Sequence, residues 1–497
     1  MKHVIGVDLG TSSVKVLLVN QKGNVVHEVT KSYPLIQKQS GYSEQDPNQW
    51  VEKTVEALSE LVNIYNPTNI EGISFSGQMH GLVVLDKDGY LLRNAILWND
   101  TRTTEQCEQI NTVVGKEKLL EITKNVALEG FTLPKLLWVK QYEPEIFEKT
   151  NVFLLPKDYL RYRMTGAIQM DYSDAAGTLL LNIAEKSWSL EICELLGINP
   201  RICPSLVESS DFVGTITKEF AEKTGLSEQT KVFAGGADNA CGAIGAGILS
   251  EGKTLCSIGT SGVVLSYEES EKRDFDGTVH YFNHGKESAY YTMGVTLAAG
   301  YSLSWFKQTF AKDENFDDFL QGMENIPVGS NGLLFTPYIV GERTPYPDAN
   351  IRGSFIGVDS SHTRNHFIRA VIEGITFSQN ESIEIFRSSG KTIDTVVSIG
   401  GGAKNKTWLQ IQADIFNAKI VKLASEQGPG MGAAMLAAYG CGWFHSLDEC
   451  AEKFLEAADV YEPITENVEK YRELFTIYQN VYKQTKEMNE SLKQFRK

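Results

Sequence analysis

The chain has 497 residues, with 47 Lys or Arg against 63 Asp or Glu, a formal net charge of −16. At roughly 100–200 residues per domain this is more than one domain. Its 42% hydrophobic and 22% charged content is that of a globular protein, which excludes disorder, a collagen-like repeat and a coiled coil. The acidic balance argues against nucleic acid or an anionic membrane surface as the main partner. It leaves room for a nucleotide, which needs only a local cradle of N–H groups and a cation.

Residues 3–8 read as a buried strand that runs into Asp8, so the start reads as sheet and not as a signal sequence. No apolar run approaches the ~18–20 residues that span a bilayer. Seven scattered cysteines without a CxxC pair point to reduced thiols, and with them a cytoplasmic location is expected. Residues 9–13 form a Gly-Thr-Ser turn, 14–19 a second strand and 25–31 a third. A dinucleotide-binding unit would pass from such a turn into a helix; here β-branched residues return the chain to sheet. Asp46 and Pro47 read as the cap and first position of a helix ending near 65. Strands follow at 70–75, 82–86 and 95–98, then mostly helices and connections over 103–230, and a strand at 231–234.

The second half opens like the first, with a strand at 254–257, a turn at Gly259-Thr260-Ser261-Gly262 and a strand at 263–267. Gly10 and Gly259 are 249 residues apart, half the chain, which predicts two domains of related topology, 1–232 and 233–497, facing one cleft. Residues 396–399 read as a strand ending in Gly400-Gly401-Gly402-Ala403, 406–416 as a helix and 433–439 as an Ala-rich helix. From 450 the chain is charged and helical with a break at Pro463. The last helix, about 464–490, is expected to pack back on the first domain, and the final residues to form a solvated tail.

Asp8 at a strand end, beside Gly10, Thr11 and Ser12, suits a hydrated Mg²⁺ and phosphate oxygens, although a plain hairpin turn has the same composition. Lys15, four residues beyond Thr11 in the next strand, reads from the residues alone as solvated rather than phosphate-bound. Gly259, Thr260 and Ser261 make a second candidate phosphate loop, and Gly401, Gly402 and Asn405 belong to a loop that a ligand can approach closely. No GxxxxGK[ST] occurs, which disfavours a P-loop enzyme. Asp238, after Gly235-Gly236 at the chain's midpoint, either takes the proton of an attacking hydroxyl or caps a helix; the residues alone leave both open. Met79-His80 and Trp98-Asn99-Asp100-Thr101-Arg102 mix polar groups with a flat apolar wall, as carbohydrate sites do. The eight histidines have no metal-ligand spacing.

Nine segments in register resemble the FGGY family of carbohydrate kinases: residues 7–13, Gly77-Gln78-Met79-His80-Gly81, 97–102, 133–138, 173–180, Gly235-Gly236-Ala237-Asp238-Asn239, 259–262, Gly341-Glu342-Arg343-Thr344-Pro345 and 400–403. The resemblance implies the α/β two-domain actin-like ATPase fold, with duplicated ribonuclease H-like domains around a cleft. It also implies ATP-dependent phosphorylation of a sugar or polyol hydroxyl. On that basis Asp238 is expected as the general base and Asp8 near Mg²⁺. Gly10, Thr11, Ser12, Lys15, Gly259, Thr260, Ser261, Gly401, Gly402 and Asn405 are expected around ATP. Met79, His80, Trp98, Asp100, Arg102, Asp238 and Asn239 are expected around the sugar, and the Met79-His80 pair points within the family to D-xylulose. Gluconate, ribulose or another polyol is the alternative substrate, and an actin-like ATPase without sugar the alternative of another class. Dimerisation is expected from the family alone.

Overall fold

In the computed structural model, which describes residues 2–496, His3–Leu9 and Ser13–Asn20 pair antiparallel, with Asp8 opposite Lys15. Val25–Ser32 continues the meander. The helix Pro47–Ile64 starts where Asp46 accepts a hydrogen bond from the Asn48 N–H at 2.9 Å. It carries the chain across to Ile70–Gly77, which adds parallel to His3–Leu9 and brings Ser76 beside Asp8. Lys231–Phe233 and Phe212–Thr215 extend the sheet outward, and Gly236–Ala237 pairs with the end of Ile70–Gly77 to complete seven strands.

The second half builds the same sheet again. Gly252–Ile258, Gly262–Glu268 and Tyr290–Thr296 form an antiparallel meander, edged by His280–Asn283. Ile393–Gly400 and Lys419–Leu423 add in parallel, and Ala457–Tyr461 closes the other edge. Leu9 pairs with Val14 on one side and Gly77 on the other; Ile258 pairs with Gly262 and Gly400 in the same way. Each Gly-Thr-Ser turn is therefore set next to the end of a parallel neighbour. That register is what builds two ligand-facing corners from one pattern.

Two short helices join the halves. Asp238–Gly245 buries Ala240 and Ala243 in a cluster with Leu255, Leu265 and Val397 of the second sheet. Gly428–Gly440, from the second half, packs Met431, Ala434 and Met435 against Val4, Leu17 and Val19 of the first. The two helices and the sheet approach so closely that a Cβ on Gly432 would collide with the Cys241 carbonyl, and one on Gly6 with that of Gly430.

Several expectations are corrected. The stretch 103–230 is mostly helices and connections as expected, but it also holds short strands that sequence reasoning missed: Phe212–Thr215 joins the main sheet, and Gln169–Asp171 pairs in parallel with Ser205–Val207. The helix expected at 433–439 begins at Gly428, because Pro429 occupies a first-turn position where its missing N–H costs nothing. The last helix, Thr465–Leu492, does not pack on the first domain. Its apolar face (Tyr471, Phe475, Tyr478) lies in the second half's core against Phe377. Its Asn467 also donates to Asp414 at 2.8 Å. Lys493, Gln494 and Phe495 are exposed, as expected of a solvated tail, but Arg496 donates to the Asn350 carbonyl at 2.6 Å; the final residue lies outside the described ones. Among the described residues no helix is long and apolar enough to cross a membrane, and all seven cysteines are free thiols.

Candidate active site

The two turns hide their carbonyls and leave N–H groups free. In the first, the Gly10 carbonyl accepts from the Tyr33 hydroxyl, that of Thr11 from Gln45 Nε2 at 2.6 Å, and that of Ser12 from the Tyr33 N–H at 3.2 Å. In the second, the carbonyls of Gly259 and Thr260 accept from the N–H groups of Gly300 and Tyr301 at 2.8 and 3.1 Å. Among the described residues no acceptor takes the N–H groups of Thr11, Ser12, Thr260 or Ser261. Free N–H groups beside hydroxyls, at the end of a buried sheet, are what an anion meets at a phosphate loop.

Asp8 immediately precedes the first turn, and Asp238 lies near enough for its charge to interact with that of Asp8. Burial raises the Asp238 carboxyl to about 7, the negative charge of Asp8 adds to the rise, and the Asn239 N–H, which donates at 2.7 Å, opposes it. Burial likewise raises Asp8 to about 6, against the pull of the Ser76 hydroxyl and the Lys15 ammonium. Asp238 is the first residue of its helix, and its Oδ1 also takes the first-turn N–H of Asn239. Lys15 shares the face of Asp8 and reaches across to Gln427 Oε1 at 2.7 Å. Two neighbouring carboxylates, partly exposed, form a hard-oxygen donor set that fits Mg²⁺.

Met79, His80 and Asn239 meet beside Asp238. Asn239 Nδ2 approaches Met79 Sδ at 3.4 Å and donates to Asp238 Oδ1 at 3.2 Å. His80 has φ of 68° and its Nδ1 lies 2.6 Å from the Gly177 carbonyl, which assigns the proton to Nδ1 and leaves Nε2 an acceptor. Burial drives its pKa down to about 3, so the ring is neutral at physiological pH; Gly177 opposes the shift, and Lys135 and Arg343 reinforce it. Phe131 lies against the ring with centroids 4.7 Å apart, and Phe282 stands 6.0 Å away.

Trp98 is exposed, and its indole N–H donates to Thr11 Oγ1 at 2.9 Å, tying the polar loop to the first turn. Asp100 and Arg102 are not free for a ligand. Arg102 donates to both oxygens of Asp100 at 2.7–3.0 Å and pairs with Glu44 at 2.8 Å, while Asp100 also accepts from the Ser43 N–H at 2.6 Å. Two residues apart in a tight turn, opposite charges satisfy each other first, and Tyr42 caps the guanidinium at 3.6 Å. In this structure they brace the loop.

In the second half, Gly259, Thr260, Gly401, Gly402 and Asn405 line one cavity of about 360 Å³ with Leu303 and Ser304. Asn405 caps Lys406–Phe416 by accepting from the Trp408 N–H at 3.0 Å. Sequence reasoning missed the aromatic wall around His80 and Tyr291, whose hydroxyl stands 3.9 Å from Met79 Sδ and whose titration feels Asp238. The i, i+2 pair His280 and Phe282, stacked at 5.6 Å, is a signal that could have found the wall; Tyr291 has no local signature.

Residues 3–245 match the N-terminal domain of the FGGY family of carbohydrate kinases, and residues 254–441 its C-terminal domain. The chain is 66% identical over 499 residues to a xylulose kinase of Bacillus subtilis (strain 168), with 100% of each chain covered. It superposes on the ligand-bound xylulose kinase of Lactobacillus acidophilus with a TM-score of 0.93 and 30% identity, covering 98% of each chain. The gluconate kinase of the same organism gives 0.92 and 30%, covering 97% of this chain and 98% of that one, so the fold alone does not select the sugar. The fold is the two-domain actin-like ATPase fold. The two domain matches follow each other in order across nearly all of both sheets, and the chain belongs to the FGGY family of carbohydrate kinases.

Proposed function

We propose that the protein transfers the γ-phosphoryl group of ATP to the C5 hydroxyl of D-xylulose, giving D-xylulose 5-phosphate. The observation that carries this reading is the full-length 66% identity to the Bacillus subtilis xylulose kinase. It is supported by the Met79, His80 and Asn239 contacts gathered beside Asp238.

The free N–H groups and hydroxyls of the two turns hold phosphate oxygens from opposite sides of the cleft, and the cavity at Gly401, Gly402 and Asn405 receives the adenosine. Phosphoryl transfer depends mainly on positioning and charge stabilisation. Asp8 and Asp238 would hold Mg²⁺ directly or through water, and the ion when bound supplies charge that offsets the phosphates. Asp238 orients the sugar hydroxyl and accepts its proton; a carboxyl near 7 is matched to that task at neutral pH. His80 Nε2 accepts from a sugar hydroxyl, and Asn239 Nδ2 donates to one. Approach of the halves aligns the hydroxyl and excludes water, which limits ATP hydrolysis.

The test is coupled detection of ADP against ketopentoses, aldonates and polyols. D-xylulose is expected to give the highest kcat/KM. Preference for gluconate or ribulose would reassign the substrate, and ADP release independent of any sugar would replace the kinase with an ATPase.

A further inference from the structure

Beneath the cleft floor lies a cluster of charges with no access to solvent. Lys157 Nζ stands 2.7 Å from Asp158, 2.6 Å from Asp171 and 2.8 Å from Asp174, and all four side chains are fully buried. Arg161 joins at 3.0 Å from Asp158. The three carboxylates bring their oxygens within 4.8 Å of one another, an arrangement that would suit a divalent cation were the ammonium not already at its centre. Burial pulls Lys157 down, but the three carboxylates outweigh it and hold the side chain charged. A buried ion cluster of this kind contributes little to stability compared with well-packed apolar residues, so its presence calls for another reason.

Its contacts supply one. Asp171 Oδ2 accepts from the Ser173 N–H at 2.9 Å, from the Ser173 hydroxyl at 2.5 Å and from the Ser209 hydroxyl at 2.8 Å. With its hydrogen committed to Asp171, Ser173 Oγ is free to accept, and it takes the Ala237 N–H at 2.9 Å. Arg161 donates to the Ala234 carbonyl at 2.6 Å, and the Ser209 carbonyl accepts from the Gly235 N–H at 2.9 Å. The strand-to-helix turn before Asp238 is thus gripped at three backbone groups, across Gly235 with its φ of 77°, by side chains and loops anchored on one cluster.

We propose that Ser173 is a positioning residue for Asp238, and that the Lys157 cluster serves to hold Ser173 in the orientation that accepts from the Ala237 N–H. The inference rests on Asp238 acting as the general base. Ser173 touches neither substrate; it fixes the peptide to which Asp238 is attached. A displacement of about 1 Å in such a group can cost on the order of 10²-fold in rate.

Ser173→Ala is measured by steady-state kinetics alone and in the Asp238→Asn background. The single variant is expected to lose at least about tenfold in kcat, with both KM values within about twofold of the parent. In the Asp238→Asn background the same substitution is expected to change the residual kcat by less than about twofold, since its effect runs through the carboxylate. Ser173→Thr, which keeps the acceptor oxygen, is expected to recover most of the rate. If Ser173→Ala does not fold, Ser173→Cys, a weaker hydrogen-bonding group of similar size, is judged by the same two criteria. A parent-like kcat in the folded single variant would overturn the proposal, as would an equal loss in both backgrounds. Near-normal turnover of Asp238→Asn itself would instead remove the general-base reading, so the two failures are distinguishable.

Discussion

Asp238 is where sequence chemistry and local environment converge. Asp238→Ala is expected to lose at least about 10²-fold in kcat with nucleotide affinity largely kept, read by turnover and by nucleotide titration. Its raised pKa also sets a cost in stability. Between about pH 4 and 7 the folded chain keeps a proton that the unfolded chain has released, so this group's contribution falls as pH rises and the penalty is complete above about 7. Asp238→Asn should therefore raise Tm at about pH 8 and leave it unchanged near about pH 4, as thermal melts at the two values would show. With Asp238 as the proposed base, turnover should have the opposite sign and fall on the acid side of about 7. His80 behaves differently. It stays neutral well below physiological pH, so His80→Ala should cost about tenfold in kcat/KM for the ketopentose while leaving sugar-independent ATP hydrolysis within about twofold.

At the scale of elements, the close contact of Asp238–Gly245 with Gly428–Gly440 should be intolerant of even one methyl group. Gly432→Ala forces a backbone shift against Cys241 and should destabilise by about 1–3 kcal/mol, measured by denaturant titration. Elements whose signals are local were legible. The β-branched run after Gly10, the Asp46-Pro47 helix start and the helix at 406–416 all occur where the sequence puts them, because each is decided within a few residues. What distant partners decide was not legible. Phe212–Thr215 is strand because Lys231–Phe233 lies beside it, and Thr465–Leu492 chooses the second half because Phe377 and Glu373 await it there. The site divides in the same way. Asp8, Asp238 and the two turns could be read from strand ends and glycines. Asp100 and Arg102 could not, because a Asp-x-Arg pair looks the same whether it faces a sugar or itself.

For the whole molecule, ligands that draw on both halves should reinforce each other. On the proposed reading a non-hydrolysable ATP analogue would occupy mainly the second half's cavity and D-xylulose the first half's polar corner, with the phosphates touching both turns. Together they should stabilise by more than the sum of the separate effects, each about 2.7 kcal/mol at 100 Kd, and raise Tm accordingly. Simple additivity in differential scanning fluorimetry would count against closure of the halves on substrate.

The crossing of the two glycine-lined helices has a mechanical consequence. If the halves rotate as proposed, the contact near Gly245 and Gly432, where backbone meets backbone, is where an axis would lie. Asp238 begins the same helix that ends at Gly245, about 10 Å along its length at 1.5 Å per residue. Groups near an axle trace short arcs, and those at the rim trace long ones. Opening the cleft for exchange of sugar and nucleotide would therefore sweep the second Gly-Thr-Ser turn away from the first, while the carboxylate and the peptide that carries it scarcely move.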